Sequence, residues 1–181
     1  MVKKTSLYLN MKKKVSLIVL ALICIISSAC SSKSSPKQFD QFGISFTYPA
    51  NWKLNKVDDL GGGYYISLEK SGFSSSGLIV IVVMDAEWDL YEYMSIFQDE
   101  LIEQPVFSGV NFSDEREAWY GEYESIHTVY TVSVLNLPHE GRQYVFESNG
   151  RTVYVCEQEA VEDHSKNLDG FNMVERSFMV E

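Results

Sequence analysis

The run Leu-Ile-Val-Ile-Val-Val-Met at residues 78–84 decides the fold class of this 181-residue chain. Five of its seven residues are β-branched, and such side chains favour a strand. A strand with one solvated face would alternate apolar and polar residues, whereas this run has no polar residue. We therefore predict a central strand that is covered on both faces.

Shorter segments on both sides of this run alternate apolar and polar residues, which indicates half-buried strands. The Asn149-Gly150 pair between two of them favours a two-residue β-hairpin turn. The other predicted strands lie at residues 43–49, 52–57, 64–70, 106–112, 115–120, 123–136, 142–148 and 152–158.

The spacing of apolar residues changes to a helical period at residues 88–104. Asp89 and Glu92 can form a capping box at the start of this helix, and Pro105 ends it. A second helix is predicted over residues 159–178, with a break or kink at Asp169-Gly170. Together the elements predict an α+β fold with a largely antiparallel central sheet and helices on both faces, an αβα sandwich.

Two short motifs resemble the PsbP-like domains, the family of photosystem II extrinsic subunits, a Ran-binding nuclear import factor and many bacterial lipoproteins. Residues 42–52 (FGISFTYPANW) resemble its first hairpin, and residues 173–178 (MVERSF) resemble its closing segment. The resemblance covers most of residues 39–179. It implies an αβα sandwich and no catalytic residue, since the family has no shared active-site motif.

The first 29 residues have the composition of a secretory signal peptide. They contain five lysines and no acidic residue, and an apolar run of 12 residues ends shortly before Ser28-Ala29-Cys30. This run is too short for a spanning helix, which needs roughly 20 apolar residues. Translation could start at Met1 or at Met11.

Small residues before Cys30 resemble the lipobox of bacterial lipoproteins, although Ser27 stands where Leu is usual. The resemblance implies acyl chains on Cys30 that hold the mature protein at a membrane; ordinary signal-peptidase cleavage nearby is the alternative. We predict a signal peptide at 1–29, the lipidated Cys30 and a flexible tether at 30–38, and one domain at 39–181. In a cell with two membranes the protein would sit on the outer membrane facing the periplasm. In a cell with one it would sit on the outer face of the plasma membrane.

The charge of the mature chain excludes one class of function. The leader contains five of the 15 basic residues and none of the 25 acidic ones, so the mature chain has a net charge of −15. Nucleic-acid binding needs clustered Lys and Arg, so no nucleic acid is expected as a partner. Cys156 is the only thiol in the mature chain besides the anchor, so no intramolecular disulfide framework is expected.

Aromatic residues at the ends of elements are the first candidate site. Tyr and Trp are favoured at binding surfaces because they supply contact area at low entropy cost. We expect some of them to line a groove, ringed by acidic residues, that binds a protein of the cell envelope. The candidates are Tyr64, Tyr65, Trp88, Tyr91, Trp119 and Tyr120.

Acidic residues at positions 85–92 are the alternative site, for a small ligand or a divalent cation. Asp85, Glu87 and Asp89 alternate as in a calcium loop, but the Gly and Glu that an EF-hand needs at its sixth and twelfth positions are missing. Acids at a helix amino terminus also stabilise its dipole.

Histidine and cysteine give no clear site. His127, His139 and His164 lack the short spacing of zinc ligands, although His164 with Glu162 and Asp163 could bind a metal weakly. Cys156 is expected to be a buried thiol. The sequence thus predicts no metal site, no cofactor and no enzyme, but an exported, lipid-anchored accessory or assembly factor.

Overall fold

The computed structural model describes residues 35–72 and 76–181, so the predicted leader and Cys30 lie outside the described residues. Strand β1 begins at Lys37, within the segment predicted as a tether. None of the helices in the described part of the chain combines the length and the hydrophobicity needed to cross a bilayer. The elements are β1 (Lys37–Gln41), β2 (Ile44–Tyr48), β3 (Trp52–Asp59), β4 (Gly63–Lys70), β5 (Leu78–Met84), α1 (Leu90–Glu103), β6 (Phe107–Phe112), β7 (Arg116–Tyr120), β8 (Tyr123–Val134), β9 (Leu137–Ser148), β10 (Arg151–Ala160), α2 (His164–Ser177) and β11 (Met179–Val180).

The strands of these two ranges form two antiparallel sheets. The main sheet has the order β3-β4-β5-β10-β9-β8-β6, with β7 also paired to β8. The small sheet has the order β1-β2-β11. Strand β5 lies between β4 and β10, with Ile81 opposite Ile66 and Val155. The prediction that residues 78–84 form a central strand is confirmed.

The hairpin predicted at Asn149-Gly150 joins β9 to β10. Both turn residues have positive φ, 53° and 75°, as a type I′ turn requires. The Asn149 side chain also donates a hydrogen bond to the carbonyl of Val180 at 2.9 Å. This turn therefore sets the register of the central hairpin and holds the last strand beside it.

One face of the main sheet, which we call the closed face, packs against the small sheet and α2. Ile79, Ile81 and Val83 of β5 point to this side and are fully buried. Phe178, just after α2, stacks on Phe46 of β2 with ring centroids 6.1 Å apart. The two motifs that resemble PsbP-like domains thus meet in one core.

The predicted break at Asp169-Gly170 does not occur, because α2 runs without interruption from His164 to Ser177. A Cβ at Gly170 would lie 2.6 Å from the Trp52 ring, so glycine is needed there for close packing. The Trp52 ring also meets Phe171 edge-on, with centroids 5.4 Å apart. Gly170 is therefore a packing residue and not a helix break.

The other face of the main sheet, which we call the open face, is covered by α1. Tyr93 and Met94 of this helix are buried, but Phe97 and Leu101 are only half-buried. The largely antiparallel sheet is confirmed. The helices are a smaller part of the fold than an αβα sandwich suggests, because the small sheet supplies much of the cover on the closed face.

Candidate functional site

An apolar groove of about 630 Å³ lies between α1 and the open face of the main sheet. Its volume falls in the range of ordinary small-molecule sites, roughly 300–1,000 Å³. Because side chains alternate along a strand, the groove receives Val80, Val82 and Met84 of β5 and not their neighbours. The groove is therefore the part of the open face that α1 leaves uncovered.

Nearly all the side chains that line the groove are aliphatic, aromatic or uncharged. The sheet supplies Tyr65, Leu78, Val80, Val82, Met84, Tyr130, Tyr154, Cys156 and Gln158. Helix α1 and the flanking segments supply Leu60, Trp88, Tyr93, Ile96, Phe97, Glu100, Leu101 and Gln104, and strand β6 supplies Phe107. Among these described residues the only charged one is Glu100.

The floor of the groove carries a small polar network. The Tyr130 hydroxyl donates to Gln158 Oε1 at 2.7 Å and lies 3.3 Å from Cys156 Sγ. The ring of Tyr130 lies over Gly141, its cross-strand neighbour, where a Cβ would come within 2.2 Å of the ring. Nearby, Gln143 Nε2 donates to the Tyr154 hydroxyl at 2.8 Å.

These polar groups stay uncharged at neutral pH. Burial raises the pKa of Cys156 to about 11 and the pKa of Tyr93 to about 12. Burial likewise holds the pKa of Tyr130 and of Tyr154 well above the ordinary value for tyrosine. Because a thiolate is the reactive form of cysteine, Cys156 is a poor nucleophile here. It is buried, as predicted.

The predicted aromatic site is divided among several places in the structure. Tyr65 and Trp88 line the groove, whereas Tyr64 stacks on Phe42 with centroids 4.1 Å apart. Tyr91 is 52% exposed on α1. Tyr120 was expected to contact a partner, but it is fully buried on the closed face and is not available for this.

Trp119 lies in a separate depression of about 810 Å³. Its indole is 59% exposed, and four glutamates line the same depression. The predicted combination of an exposed aromatic ring with surrounding acids is therefore found here and not at the groove. The four are Glu117, Glu122, Glu124 and Glu147.

The acidic residues at 85–92 have structural contacts. Asp85 Oδ1 lies 2.7 Å from the Arg151 guanidinium. Asp89 caps α1, where its Oδ1 accepts hydrogen bonds from the amides of Tyr91 and Glu92 at 3.1 and 2.9 Å. Glu87 is exposed. Within the described residues these three do not form a group of converging metal ligands.

The histidines have three different environments. His127 is buried against Tyr144, and burial together with Arg116 and Arg142 lowers its pKa to about 4. His139 Nδ1 lies 3.0 Å from the Leu137 carbonyl oxygen. His164 does not meet Glu162 or Asp163, since its Nδ1 lies 2.8 Å from Glu159 and 3.2 Å from Glu140.

The sequence missed this His164 cluster and most of the groove for the same reason. Each brings together residues from three or more elements that are distant in the chain. The alternation of Tyr154, Cys156 and Gln158 along β10 signals a shared face. It does not show what covers that face.

Comparison with solved structures identifies the fold. Cyanobacterial PsbP (CyanoP) from Synechocystis sp. PCC 6803 matches with a TM-score of 0.59, over 84% of this chain and 96% of its own, at 14% identity. This chain has the PsbP-like fold. A protein of Bacteroides thetaiotaomicron VPI-5482 matches with a TM-score of 0.53 at 9% identity, over 80% of this chain and 48% of its own.

LpqN of Mycobacterium tuberculosis, described as involved in cell envelope biogenesis, matches with a TM-score of 0.49 at 14% identity, over 81% of this chain and 89% of its own. No protein-family model matches the sequence, and no curated protein sequence matches it. The similarities to CyanoP and to the Bacteroides protein establish the fold and no activity.

Proposed function

We propose that this chain is an exported binding protein, anchored by acyl chains on Cys30, that holds an apolar chain of lipid type in the groove beneath α1. It acts as a non-catalytic accessory factor of the cell envelope. The observation that carries this proposal is the groove itself, an open space of about 630 Å³ with a nearly continuous apolar lining. A soluble domain leaves such a surface uncovered at a free energy cost, so a ligand that fills it gains from its burial.

The lining supports a long apolar ligand with an uncharged polar end. The aliphatic side chains of β5 and the aromatic rings of Tyr93 and Phe97 offer contact along the groove. Tyr130 and Gln158 can exchange hydrogen bonds with a hydroxyl, ester or amide group. Because the charged residue of the lining is the acidic Glu100, an anionic head group inside the groove is disfavoured.

The predicted tether supports a membrane as the source of this ligand. Residues 31–36, which lie between Cys30 and β1, reach at most roughly 20 Å when fully extended, so the domain would stay close to the lipid from which the chain is taken. A net charge of −15 on the mature chain keeps the domain from lying flat on anionic lipid.

Uptake can be measured with the uncharged apolar fluorophore N-phenyl-1-naphthylamine and a fragment of residues 31–181, which contains the whole compact unit from Ser35 to Glu181. We expect saturable fluorescence enhancement at one fluorophore per chain, displaced by a neutral long-chain lipid such as a monoacylglycerol. Ile96→Glu places a carboxylate in the lining and should weaken binding at least tenfold.

Ile102→Glu is the matched control, because Ile102 belongs to the same helix and is 59% exposed but does not line the groove. This variant should bind the fluorophore like the wild type. Equal binding by both variants, or an absence of saturation in the wild type, would contradict an apolar ligand in the groove.

A protein partner is the second candidate, favoured by exposed apolar side chains on the outer side of α1. Tyr91 and Ile102 are 52% and 59% exposed and lie three helical turns apart on one side of the helix. If a protein of the envelope binds there, Ile102→Glu abolishes its capture from membranes and Ile96→Glu retains it. The same pair of variants thus separates the two candidates.

Anchoring is tested by Cys30→Ala followed by cell fractionation. We expect the variant to leave the membrane fraction, because two or more acyl chains on Cys30 provide the attachment. A salt wash distinguishes a lipid anchor from electrostatic attachment, since salt screens surface charges. If the variant stays in washed membranes, the proposed anchor is wrong.

A further inference from the structure

Two glutamates lie directly opposite each other in neighbouring strands of the main sheet. Glu140 of β9 pairs in register with Glu159 of β10. Like charges in such a pair destabilise a sheet. His164, the first residue of α2, lies beside both, with its Nδ1 2.8 Å from Glu159 Oε1 and 3.2 Å from Glu140 Oε1. A positive charge or a bound proton at this point would relieve the repulsion.

The carboxylate of Glu159 is buried and incompletely satisfied. The residue is 1% exposed, its Oε1 is directed at His164, and its Oε2 has no hydrogen-bond partner among the described residues. A buried polar atom without a partner costs on the order of 1–3 kcal/mol, and more when it is charged. The cluster therefore contains a buried ligand atom with unused capacity.

The neighbouring cations are mainly engaged elsewhere. Arg142 lies closer to Glu157 than to Glu159. Its Nε is 3.2 Å from the Glu157 carboxylate, whereas its terminal NH2 group is 3.8 Å from the Glu159 carboxylate. Its guanidinium also lies over the Phe171 ring. Lys70 donates to the Lys166 carbonyl and to Asn167, and Lys166 pairs with Asp163. One arginine thus serves two buried glutamates, and Glu140 adds a third negative charge.

We propose that Glu140, Glu159 and His164 bind a zinc ion that attaches the amino terminus of α2 to the main sheet. The three ligand atoms lie within 4.8 Å of one another. Zinc with bonds of about 2.0–2.2 Å in a tetrahedron needs its ligand atoms roughly 3.4 Å apart, so shifts within side-chain rotamers suffice. The side chains of His164 and Glu140 are 46% and 37% exposed, which leaves an open position for water.

The donor set selects the metal. An imidazole nitrogen with two carboxylate oxygens suits zinc, whereas calcium and magnesium take oxygen ligands and calcium takes at least six. The site lies at the side of the main sheet that α2 covers, and none of its three residues lines the groove. It is independent of the proposed function, and Ile96→Glu should bind zinc like the wild type.

The test is calorimetric titration of zinc chloride into the full-length chain in detergent, after removal of metals with a chelator and alkylation of accessible thiols. We expect one site with a micromolar dissociation constant in the wild type and at least thirtyfold weaker binding in His164→Ala. His139→Ala is the matched control, because His139 points to the opposite face of β9 from Glu140 and should bind like the wild type.

Thermal unfolding supplies a second measurement. Zinc should raise the melting temperature of the wild type and of His139→Ala but not of His164→Ala, since a ligand that binds only the folded state stabilises it. If His164→Ala does not fold, the isosteric variant Glu140→Gln is tested in its place. This variant should bind zinc at least tenfold more weakly than the wild type. Equal zinc binding by the His164 and His139 variants, calcium binding as tight as that of zinc, or no zinc binding in the wild type would each overturn the proposal.

Discussion

The closed and the open face of the main sheet are built from the same strands but are covered differently. On the closed face the small sheet and α2 bury Trp52, Phe171 and Phe178 almost completely. On the open face α1 leaves Phe97 and Leu101 half-buried beside a groove of about 630 Å³. The small sheet and α2 together complete the packing on the closed face, whereas α1 alone leaves the packing of the open face incomplete.

The difference assigns stability and binding to opposite sides of one sheet. Interiors are packed as densely as organic crystals, so a filled face contributes stability but offers no room for a ligand. The titratable groups follow the same division. Buried Glu157 and His127 belong to the closed face, whereas the residues described at the floor of the groove carry neutral hydroxyl, thiol and amide groups.

The largest expected effect compares one phenylalanine on each face. Phe171→Ala should lower the free energy of unfolding by about 4 kcal/mol, because it leaves a cavity beside Trp52 in a filled core. Phe97→Ala should cost about half as much, because that ring is half-buried beside existing open space, and it should change fluorophore binding. Urea unfolding of both variants measures the difference. Equal losses of stability would remove the distinction between the faces.

The second prediction concerns pH and the closed face. Burial raises the pKa of Glu157 from 4.5 to about 7, against the opposing effect of Arg142. The folded state therefore binds this proton more tightly than the unfolded state does. The contribution of protonated Glu157 to the free energy of unfolding is complete below pH 4.5. It is lost as the pH rises through 7, a change of about 3 kcal/mol.

His127 acts in the opposite direction. Because its folded-state pKa is lowered from 6.5 to about 4, its contribution is complete above pH 6.5 and is lost as the pH falls through 4. The two groups partly cancel between pH 4.5 and 6.5. In Glu157→Gln we expect the free energy of unfolding to rise with pH over this range, more steeply than in the wild type.

The measurement is urea unfolding at half-unit steps of pH in buffer that contains a chelator. Glu162→Gln is the control, because this exposed carboxylate precedes α2 outside the core. It should leave the wild-type profile unchanged. A Glu157→Gln profile parallel to that of the wild type would show that Glu157 does not titrate in this range.

The smallest effect concerns the helix that covers the open face. Asp89→Ala removes the acceptor for the amides of Tyr91 and Glu92 and should cost about 1 kcal/mol. Asp99→Ala, an exposed substitution in the middle of α1, should cost less than half as much. Hydrogen exchange should speed up in the first turn of α1 in the Asp89 variant alone. Unchanged exchange there would mean that this cap does not hold the helix over the groove.

Local patterns in the sequence predicted most of the elements. The apolar run of β5 identified a central strand, Asn149-Gly150 identified the hairpin of β9 and β10, and Asp89 identified the start of α1. Each depends on residues within one turn or one strand. Gly170 was misinterpreted because a helix break and a packing contact both require glycine, and only its distance from Trp52 separates them.

The candidate sites were predicted less well. Tyr65 and Trp88, which were chosen for their residue type, line the groove, but Tyr120 was expected at a surface and is buried. The ligands Glu140, Glu159 and His164 come from β9, β10 and α2, and their spacing in the sequence resembles no metal motif. Their meeting depends on the register of the central hairpin and on where α2 begins.

The sequence by itself determined most of the strands, the central position of β5, the strongly acidic charge and the resemblance of residues 42–52 and 173–178 to PsbP-like domains. The tertiary structure alone decided which apolar face stays open and which charged side chains meet. The physical reason is that strand and helix patterns depend on neighbours along the chain. A groove or a ligand cluster depends instead on how completely one layer covers another, and no local pattern records that.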